Sequence, residues 1–142
     1  MIFRNRDFSG RPTALQIKGL SVATVGGRTQ TQILSAIDVT IRDGETVCLV
    51  GESGSGKSVT SLAVMGLLPK GSLAVTGGRI ELEGQNLLDL DAGAMREMRA
   101  RRISMIFQEP MTALNPVMTV GAQIEEVLDS HTRLGAAEKK KR

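Results

Sequence analysis

Aromatic residues are nearly absent from this sequence: 2% of its 142 residues are aromatic, with three Phe and no Trp or Tyr. Apolar packing must therefore rest on Leu, Ile, Val, Met and Ala, within a hydrophobic content of 41%. Cysteine is equally scarce, because Cys48 is the single one and lies in the apolar stretch TVCLV. A lone cysteine cannot form an internal disulfide, and at such a position it usually packs as a small buried thiol. We therefore expect a globular, intracellular protein in which Cys48 is buried.

Long apolar runs and strong charge are also missing. No window reaches the roughly 18 uninterrupted apolar residues of a membrane span. The N-terminal stretch MIFRNRDFSGRP has scattered charges and lacks the apolar centre of a signal peptide. The net charge is +3, and the basic clusters at residues 99–102 and 139–142 contain no aromatic residues. Such clusters are typical of solvated surface, so we predict no nucleic-acid partner. The lack of a long apolar run predicts that the chain has no direct membrane span.

The order of the patterned segments predicts an α/β fold. Residues 14–25 and 33–41 alternate between apolar and polar positions, which favours two strands. Residues 45–51 form a continuous apolar and β-branched run, typical of a strand that is covered on both faces. The other predicted elements are a buried helix from Lys57 ended by Pro69, a loop over 70–78, a short strand from Arg79, a helix capped by Asp91, a strand over 103–107, and a helix over 119–131 with Val120, Ile124, Val127 and Leu128 on one face.

A glycine-rich loop separates the 45–51 run from the helix that follows. Gly51, Gly56, Lys57 and Ser58 fit G-x-x-x-x-G-K-[ST], the phosphate-binding loop, whereas the alternative is a Gly/Ser-rich turn with a chance lysine. Glycines let the backbone approach a ligand without an intervening Cβ, and the loop N–H groups and the helix N-terminus attract anions. Lys57 would reach the β- and γ-phosphates, and the Ser58 hydroxyl would bind Mg²⁺. The predicted nucleotide triphosphate site consists of Gly51, Glu52, Ser53, Gly54, Ser55, Gly56, Lys57, Ser58 and Val59.

The loop alone does not name a reaction, because GTPases, kinases, helicases and transport ATPases share it. Gln108 is a second candidate, since it follows the predicted strand over 103–107 and opens a loop bounded by two prolines. At a strand end beside the phosphates it could contact Mg²⁺ and the attacking water. From the pattern alone, an ordinary polar residue at a strand end is as good an interpretation.

Together, GESGSGKSVT and MIFQEPMTALNPVMTVG resemble the ATP-binding subunits of ABC transporters. The most similar subgroup imports dipeptides, oligopeptides, nickel or glutathione, and the resemblance covers residues 15–128. It implies a P-loop NTPase core with an N-terminal antiparallel β subdomain, with ATP and Mg²⁺ as cofactors. It also implies that Lys57 and Gln108 are catalytic, that Ser58 and Gln108 contact Mg²⁺, and that Gln108 relays the nucleotide state to membrane subunits.

The same resemblance implies partners and a location. The partners would be the transmembrane permease subunits of an importer and a second ATP-binding subunit, and the stretch EPMTALNP would face the permease. The protein would then lie peripherally on the cytoplasmic face of the bacterial inner membrane. One position departs from the family, which usually places an aromatic residue against adenine where this chain has Ala23 or Thr24. Losing such a stacking contact could cost about 1–3 kcal/mol of base affinity, whereas phosphate binding should survive.

Several family features do not occur in this sequence. It has no LSGGQ-like signature and no apolar strand that ends in Asp-Glu, and its only histidine, His131, is typical of an exposed helix end. Phosphoryl transfer to water needs a positioned nucleophile and neutralised charge, so we expect this chain to be an N-terminal piece with little or no hydrolysis of its own. We also expect a truncated core sheet and poor solubility in isolation.

The predicted domains are an N-terminal extension over residues 1–13, a partial ABC ATP-binding domain over 14–130, and a charged tail or the start of a helical region over 131–142. A stand-alone nucleotide-binding module without hydrolysis is the alternative function. A kinase or GTPase with the same loop is a weaker alternative, because no guanine-recognising Asn-Lys-x-Asp is present.

Overall fold

The chain folds into two units, Met1–Arg99 and Ala100–Arg142. A computed structural model describes residues 2–3, 7–27, 29–108, 114–132 and 134–139. The strands are β1 (Ile2–Phe3), β2 (Thr13–Thr24), β3 (Gln32–Arg42), β4 (Cys48–Leu49), β5 (Leu73–Leu82) and β6 (Gln85–Asn86). The α-helices are α1 (Lys57–Val64), α2 (Ala92–Arg101), α3 (Val120–His131) and α4 (Ala136–Lys139), and a 3-10 turn covers Leu87–Asp89.

An antiparallel sheet of order β3-β2-β5-β6 forms the centre of the first unit. The two alternating segments of the sequence become β2 and β3, which confirms both predicted strands and the predicted antiparallel β subdomain. The side chains of Leu20, Val22 and Ile80 are fully buried in this sheet. Aliphatic side chains therefore supply the core, as the near absence of aromatic residues requires.

Strand β5 begins earlier than the sequence pattern indicates. The prediction of a loop over 70–78 is wrong over most of its length, because Leu73, Ala74 and Val75 pair with Thr24, Ala23 and Val22 of β2. Local patterning misses this segment because "TGG" within it reads as a turn signal. The open edge of β2 provides the hydrogen bonds that make it a strand.

Strand β4 is shorter and more exposed than the run over 45–51 predicts. It contains only Cys48 and Leu49, and it pairs antiparallel with β1 rather than inside a parallel sheet. Val50 is 54% exposed and the Cys48 thiol is exposed, so the predictions of a strand covered on both faces and of a buried thiol are both wrong. A strand extends only as far as it has hydrogen-bonding neighbours, and among the described residues β1 is the neighbour of β4.

Helix α1 ends at Val64, before the predicted stop at Pro69. Gly66 has a φ of +62°, the left-handed conformation that glycine adopts readily after a helix. Its N–H donates to the carbonyl of Ala63, and the Leu67 N–H donates to the carbonyl of Leu62. This pair of bonds is the Schellman motif, which closes the helix. Thr60 and Ala63 are buried, but Ser58 is exposed, so the prediction of a fully buried helix is only partly right.

Helix α2 forms where the sequence predicts it. The Asp91 side chain accepts a hydrogen bond from the Ala94 N–H at 2.8 Å, which confirms Asp91 as the cap.

In the second unit, helix α3 forms as predicted, with Thr119 at its N-cap accepting from the Ala122 N–H. The prediction of a strand over 103–107 is wrong, because these residues are neither strand nor helix. Ile106 is 90% exposed and Phe107 is half exposed. A buried strand needs pairing partners on its edges, and the described part of this unit contains no strand.

Candidate functional site

The predicted phosphate loop forms a tight turn that leads directly into helix α1. The Ser55 N–H donates to the carbonyl of Glu52, and Ser53 and Gly54 lie at the tip. Gly54 and Gly56 have φ values of +81° and +87°. Side chains strain this backbone, so the two glycines are required by conformation. The turn and its two left-handed glycines thus lie within the stretch that the sequence motif marks as the loop.

Lys57 folds back over the loop that precedes it. Its ammonium donates to the carbonyl oxygen of Gly51 at 2.7 Å, to that of Glu52 at 2.6 Å and to the Ser55 hydroxyl at 3.2 Å. Three donors on one ammonium match three acceptors on the loop. The lysine therefore holds its positive charge at the centre of the loop.

The N-terminus of helix α1 has no side-chain cap for its first N–H groups. The N-cap is Gly56, which has no side chain to accept from these groups, and the first turn contains no acidic residue. Lys57, Ser58 and Val59 form this turn, with Ser58 exposed. The partial positive charge of the helix end and the Lys57 ammonium therefore add at one place.

Thr60 belongs to the site although the sequence analysis does not single it out. It is the one buried polar side chain among the described residues, with 6% exposure. Both its hydroxyl and its N–H donate to the carbonyl of Gly56, at 3.0 and 2.9 Å. The sequence signal is modest, since a threonine two residues after Ser58 fits an ordinary helix equally well.

A cavity of about 320 Å³ lies beside the loop in the first unit. One wall is the loop and the start of α1, and the other comes from β3, β4 and Val50. The lining residues are Leu34, Ile37, Asp38, Val39, Leu49, Val50, Gly51, Ser55, Lys57 and Thr60. Lys57 thus borders an open space that is large enough for part of a nucleotide.

Gln108 lies in the second unit and is exposed. The structure describes it within that unit only, so its place beside the phosphate loop stays a prediction. Residues 109–113 of the stretch EPMTALNP lie outside the described residues. At the position that the resemblance assigns to an adenine-stacking aromatic residue, Ala23 is buried and the Thr24 hydroxyl accepts from the Thr31 N–H. Neither side chain offers a ring to a base.

The residues of the loop fit a polyphosphate. A Cβ at Gly51 would lie 2.7 Å from the Ser55 Oγ, and the loop presents a lysine and an uncapped helix end. Fewer side chains are available to hold Mg²⁺. Within the described ranges, no three or more His, Cys, Asp or Glu side chains cluster as metal ligands. The exposed Ser58 hydroxyl would hold the ion together with phosphate oxygens, and that ion would supply charge neutralisation between the phosphates.

Among the helices that the structure describes, none is both long and apolar enough to cross a membrane.

The family profile described as "ABC transporter" matches residues 34–142. The chain is 44% identical over 124 residues to the probable peptide ABC transporter ATP-binding protein y4tR of Sinorhizobium fredii, covering 87% of this chain and 37% of that protein. It is 44% identical over 130 residues to the oligopeptide transport ATP-binding protein OppD of Bacillus subtilis, covering 90% and 36%. The chain therefore spans little more than a third of the length of these relatives.

Two solved structures share the fold. The dimeric cassette MJ0796, a bacterial ABC transporter cassette, superimposes with a TM-score of 0.75 at 25% identity, covering 89% of this chain and 53% of that one. The same cassette bound to ADP and Pi in a post-hydrolysis dimer gives a TM-score of 0.74 with the same coverage. The loop geometry, the matched family profile and the shared fold lead to one conclusion: the chain belongs to the ABC transporter family.

Proposed function

We propose that this chain is the nucleotide-binding portion of an ATP-binding subunit that drives peptide import. The observation that carries this proposal is the Lys57 ammonium, held over the loop next to the uncapped N-terminus of α1. A polyphosphate that enters the loop replaces the carbonyl acceptors of Lys57 with stronger, anionic ones. The names of the relatives support peptides as the cargo, rather than nickel or glutathione.

The proposed roles of the individual residues follow from the motif and from the resemblance, and the contacts of Lys57 support the role of the loop. Gly51 to Gly56 surround the phosphates with backbone N–H groups, and Lys57 balances the charge of the β- and γ-phosphates. Ser58 contributes its hydroxyl to Mg²⁺, and Gln108 contacts the same ion and relays the nucleotide state to the membrane subunits. The proposed partners are permease subunits and a second ATP-binding subunit. The dimeric state of the cassette MJ0796 supports the second partner. Through the permease, the protein would lie at the cytoplasmic face of the inner membrane.

Calorimetric titration with Mg-ATP tests the phosphate site. We expect Lys57→Ala to weaken binding by about tenfold to a hundredfold, since a hydrogen bond from a charged donor contributes about 1.5–3 kcal/mol. Lys70→Ala is the matched control, because Lys70 is an exposed lysine in a turn of the same unit. It should bind Mg-ATP like the parent chain. Equal affinity in the parent and Lys57→Ala, or no binding by folded parent chain, would disprove the proposal.

A second candidate function is a nucleotide-binding module that does not hydrolyse ATP. The observation in its favour is that the contacts at the site, those of the Lys57 ammonium and the uncapped start of α1, all serve phosphate binding. A phosphate-release assay on the same preparation separates the two candidates. Turnover near one per second would favour the hydrolysing subunit, and binding without turnover would favour the module.

A further inference from the structure

Gly56 lies against a side chain that is distant in sequence. A Cβ built on Gly56 would come within 2.3 Å of the Leu34 Cδ2 atom, while the next atom of that side chain, Cγ, would be 3.7 Å away. Gly54 has nearly the same φ, yet nothing lies within 4 Å of its Cβ position. Two features therefore favour glycine at position 56: its left-handed backbone conformation and the lack of space for a Cβ atom. A single methyl group of Leu34 occupies that space.

Leu34 is held firmly on the other side of this contact. It is 3% exposed and pairs with the fully buried Val22 of β2, and the Gln32 side-chain amide donates to its carbonyl. The side chain therefore has little freedom to move away from the loop. Strand β3 presents it as a fixed surface under the C-terminal end of the phosphate loop.

Thr60 holds Gly56 from the direction of the helix. Its N–H and hydroxyl both donate to the Gly56 carbonyl, and both groups are buried with it. Gly56 is thus fixed between a hydrogen-bonding residue of α1 and an apolar residue of β3. Lys57 follows directly, so the position of its backbone depends on where Gly56 rests.

We propose that Leu34 is a positioning residue for nucleotide binding, and that its Cδ2 methyl group sets the height at which Gly56 and the first turn of α1 meet the phosphates. The inference rests on the proposed function, since it concerns the same site. In this role Leu34 does not itself touch a phosphate. It acts through the backbone of Gly56, and its loss would lower the affinity for Mg-ATP more than its effect on stability explains.

A double-mutant cycle with Leu34→Val and Gly56→Ala tests this inference. Leu34→Val removes both Cδ atoms and leaves a shorter, β-branched side chain that suits a strand. We expect Gly56→Ala to weaken Mg-ATP binding strongly in the parent chain. In the Leu34→Val background the same change should weaken it at least about fivefold less, because the clashing methyl group is gone; neighbouring residues commonly show coupling of this size. The remaining loss reflects the positive φ, which Leu34→Val leaves unchanged.

Leu82→Val provides the matched control, because Leu82 is a buried leucine of β5 that does not line the cavity. Leu82→Val should lower the stability of the chain without changing its affinity for Mg-ATP. In the Leu82→Val background, Gly56→Ala should weaken Mg-ATP binding as much as it does in the parent chain. If Gly56→Ala does not fold, affinity alone decides: Leu34→Val should bind Mg-ATP about three- to tenfold more weakly than Leu82→Val. Equal Mg-ATP affinities of Leu34→Val and Leu82→Val, or absence of coupling in the cycle, would overturn the role of Leu34. The proposed function would still stand in that case if the parent chain binds Mg-ATP. Loss of Mg-ATP binding in Lys57→Ala, measured in parallel, confirms that the measured affinity reports on binding at the phosphate loop.

Discussion

Glycines with the same backbone conformation have very different surroundings in this chain. Gly78 and Gly84 have φ values of +86° and +85°. A Cβ on Gly78 would lie 2.4 Å from the carbonyl oxygen of Gly19 and 2.6 Å from the backbone nitrogen of Leu20, whereas nothing lies within 4 Å of the Cβ position on Gly84. At Gly78, strands β2 and β5 approach so closely that only a hydrogen fits between their backbones.

Alanine at these two glycines should therefore have unequal effects. We expect Gly84→Ala to lower the free energy of unfolding by about 1–2 kcal/mol, the cost of a left-handed conformation with a Cβ. Gly78→Ala should lower it by about 3 kcal/mol or more, because separating two paired backbones adds the cost of overpacking. Urea denaturation followed by circular dichroism measures both values. Similar losses at the two sites would show that conformation alone, without the β2–β5 contact, requires glycine at Gly78.

At the scale of elements, the Gln123 side chain of helix α3 binds the turn that precedes the helix. The Gln123 Oε1 atom accepts from the Asn115 N–H at 3.0 Å, and its Nε2 donates to the carbonyls of Asn115 and Met118. The Asn115 side chain closes the same turn by accepting from the Val117 N–H. Gln123 therefore fixes this turn against the first turn of the helix, and Val117 within the turn is 87% exposed.

Replacing Gln123 should release this turn while the helix persists. We expect Gln123→Ala to speed hydrogen exchange of the Asn115 N–H by about tenfold, since a hydrogen bond contributes about 0.5–1.5 kcal/mol and this variant removes the acceptor of that amide. Amide exchange read by NMR checks the effect residue by residue. Glu126→Ala, an exposed change on the same helix, should leave the Asn115 amide protected. An unchanged rate in Gln123→Ala would mean that the turn holds itself without the helix.

At the scale of the whole molecule, several large apolar residues of the second unit are exposed to solvent. Ile106 and Val117 are almost fully exposed, and Val120, Ile124 and Val127 of α3 are each more than half exposed. In the first unit, Val50 next to β4 is also exposed. Apolar surface of this kind favours association, because each side chain that leaves water contributes about 1.5–3 kcal/mol when fully buried.

The isolated chain should therefore self-associate through this surface as its concentration rises. We expect Ile106→Asp to weaken self-association by about tenfold, the lower end of what one buried isoleucine contributes. Ser104→Asp adds the same charge at a nearby exposed residue and should change association little. Sedimentation velocity over a range of concentrations measures both variants. If the two aspartates act alike, net charge and not apolar surface controls the association.

The sequence predicts those parts of the chain whose geometry is local. The loop from Gly51 to Ser58, the Asp91 cap of α2 and helix α3 form where the sequence indicates, because glycine conformations, caps and helical bonds join residues a few positions apart. Strands β2 and β3 are also predicted correctly, since alternating side chains specify a half-buried strand whichever strand it pairs with. The roles of Gln108 and of the individual loop residues in binding remain predictions.

Only the tertiary structure decides the features that depend on distant neighbours. Apolar sequence alone does not make the 103–107 segment a strand or extend β4 beyond Leu49, because a strand also needs hydrogen-bonding partners. The start of β5 and the contact of Leu34 with Gly56 arise in the same way, from segments that the fold brings together. The sequence by itself determined the phosphate loop as a local conformation; the fold decided what supports that loop, since packing joins residues that no spacing in the chain relates.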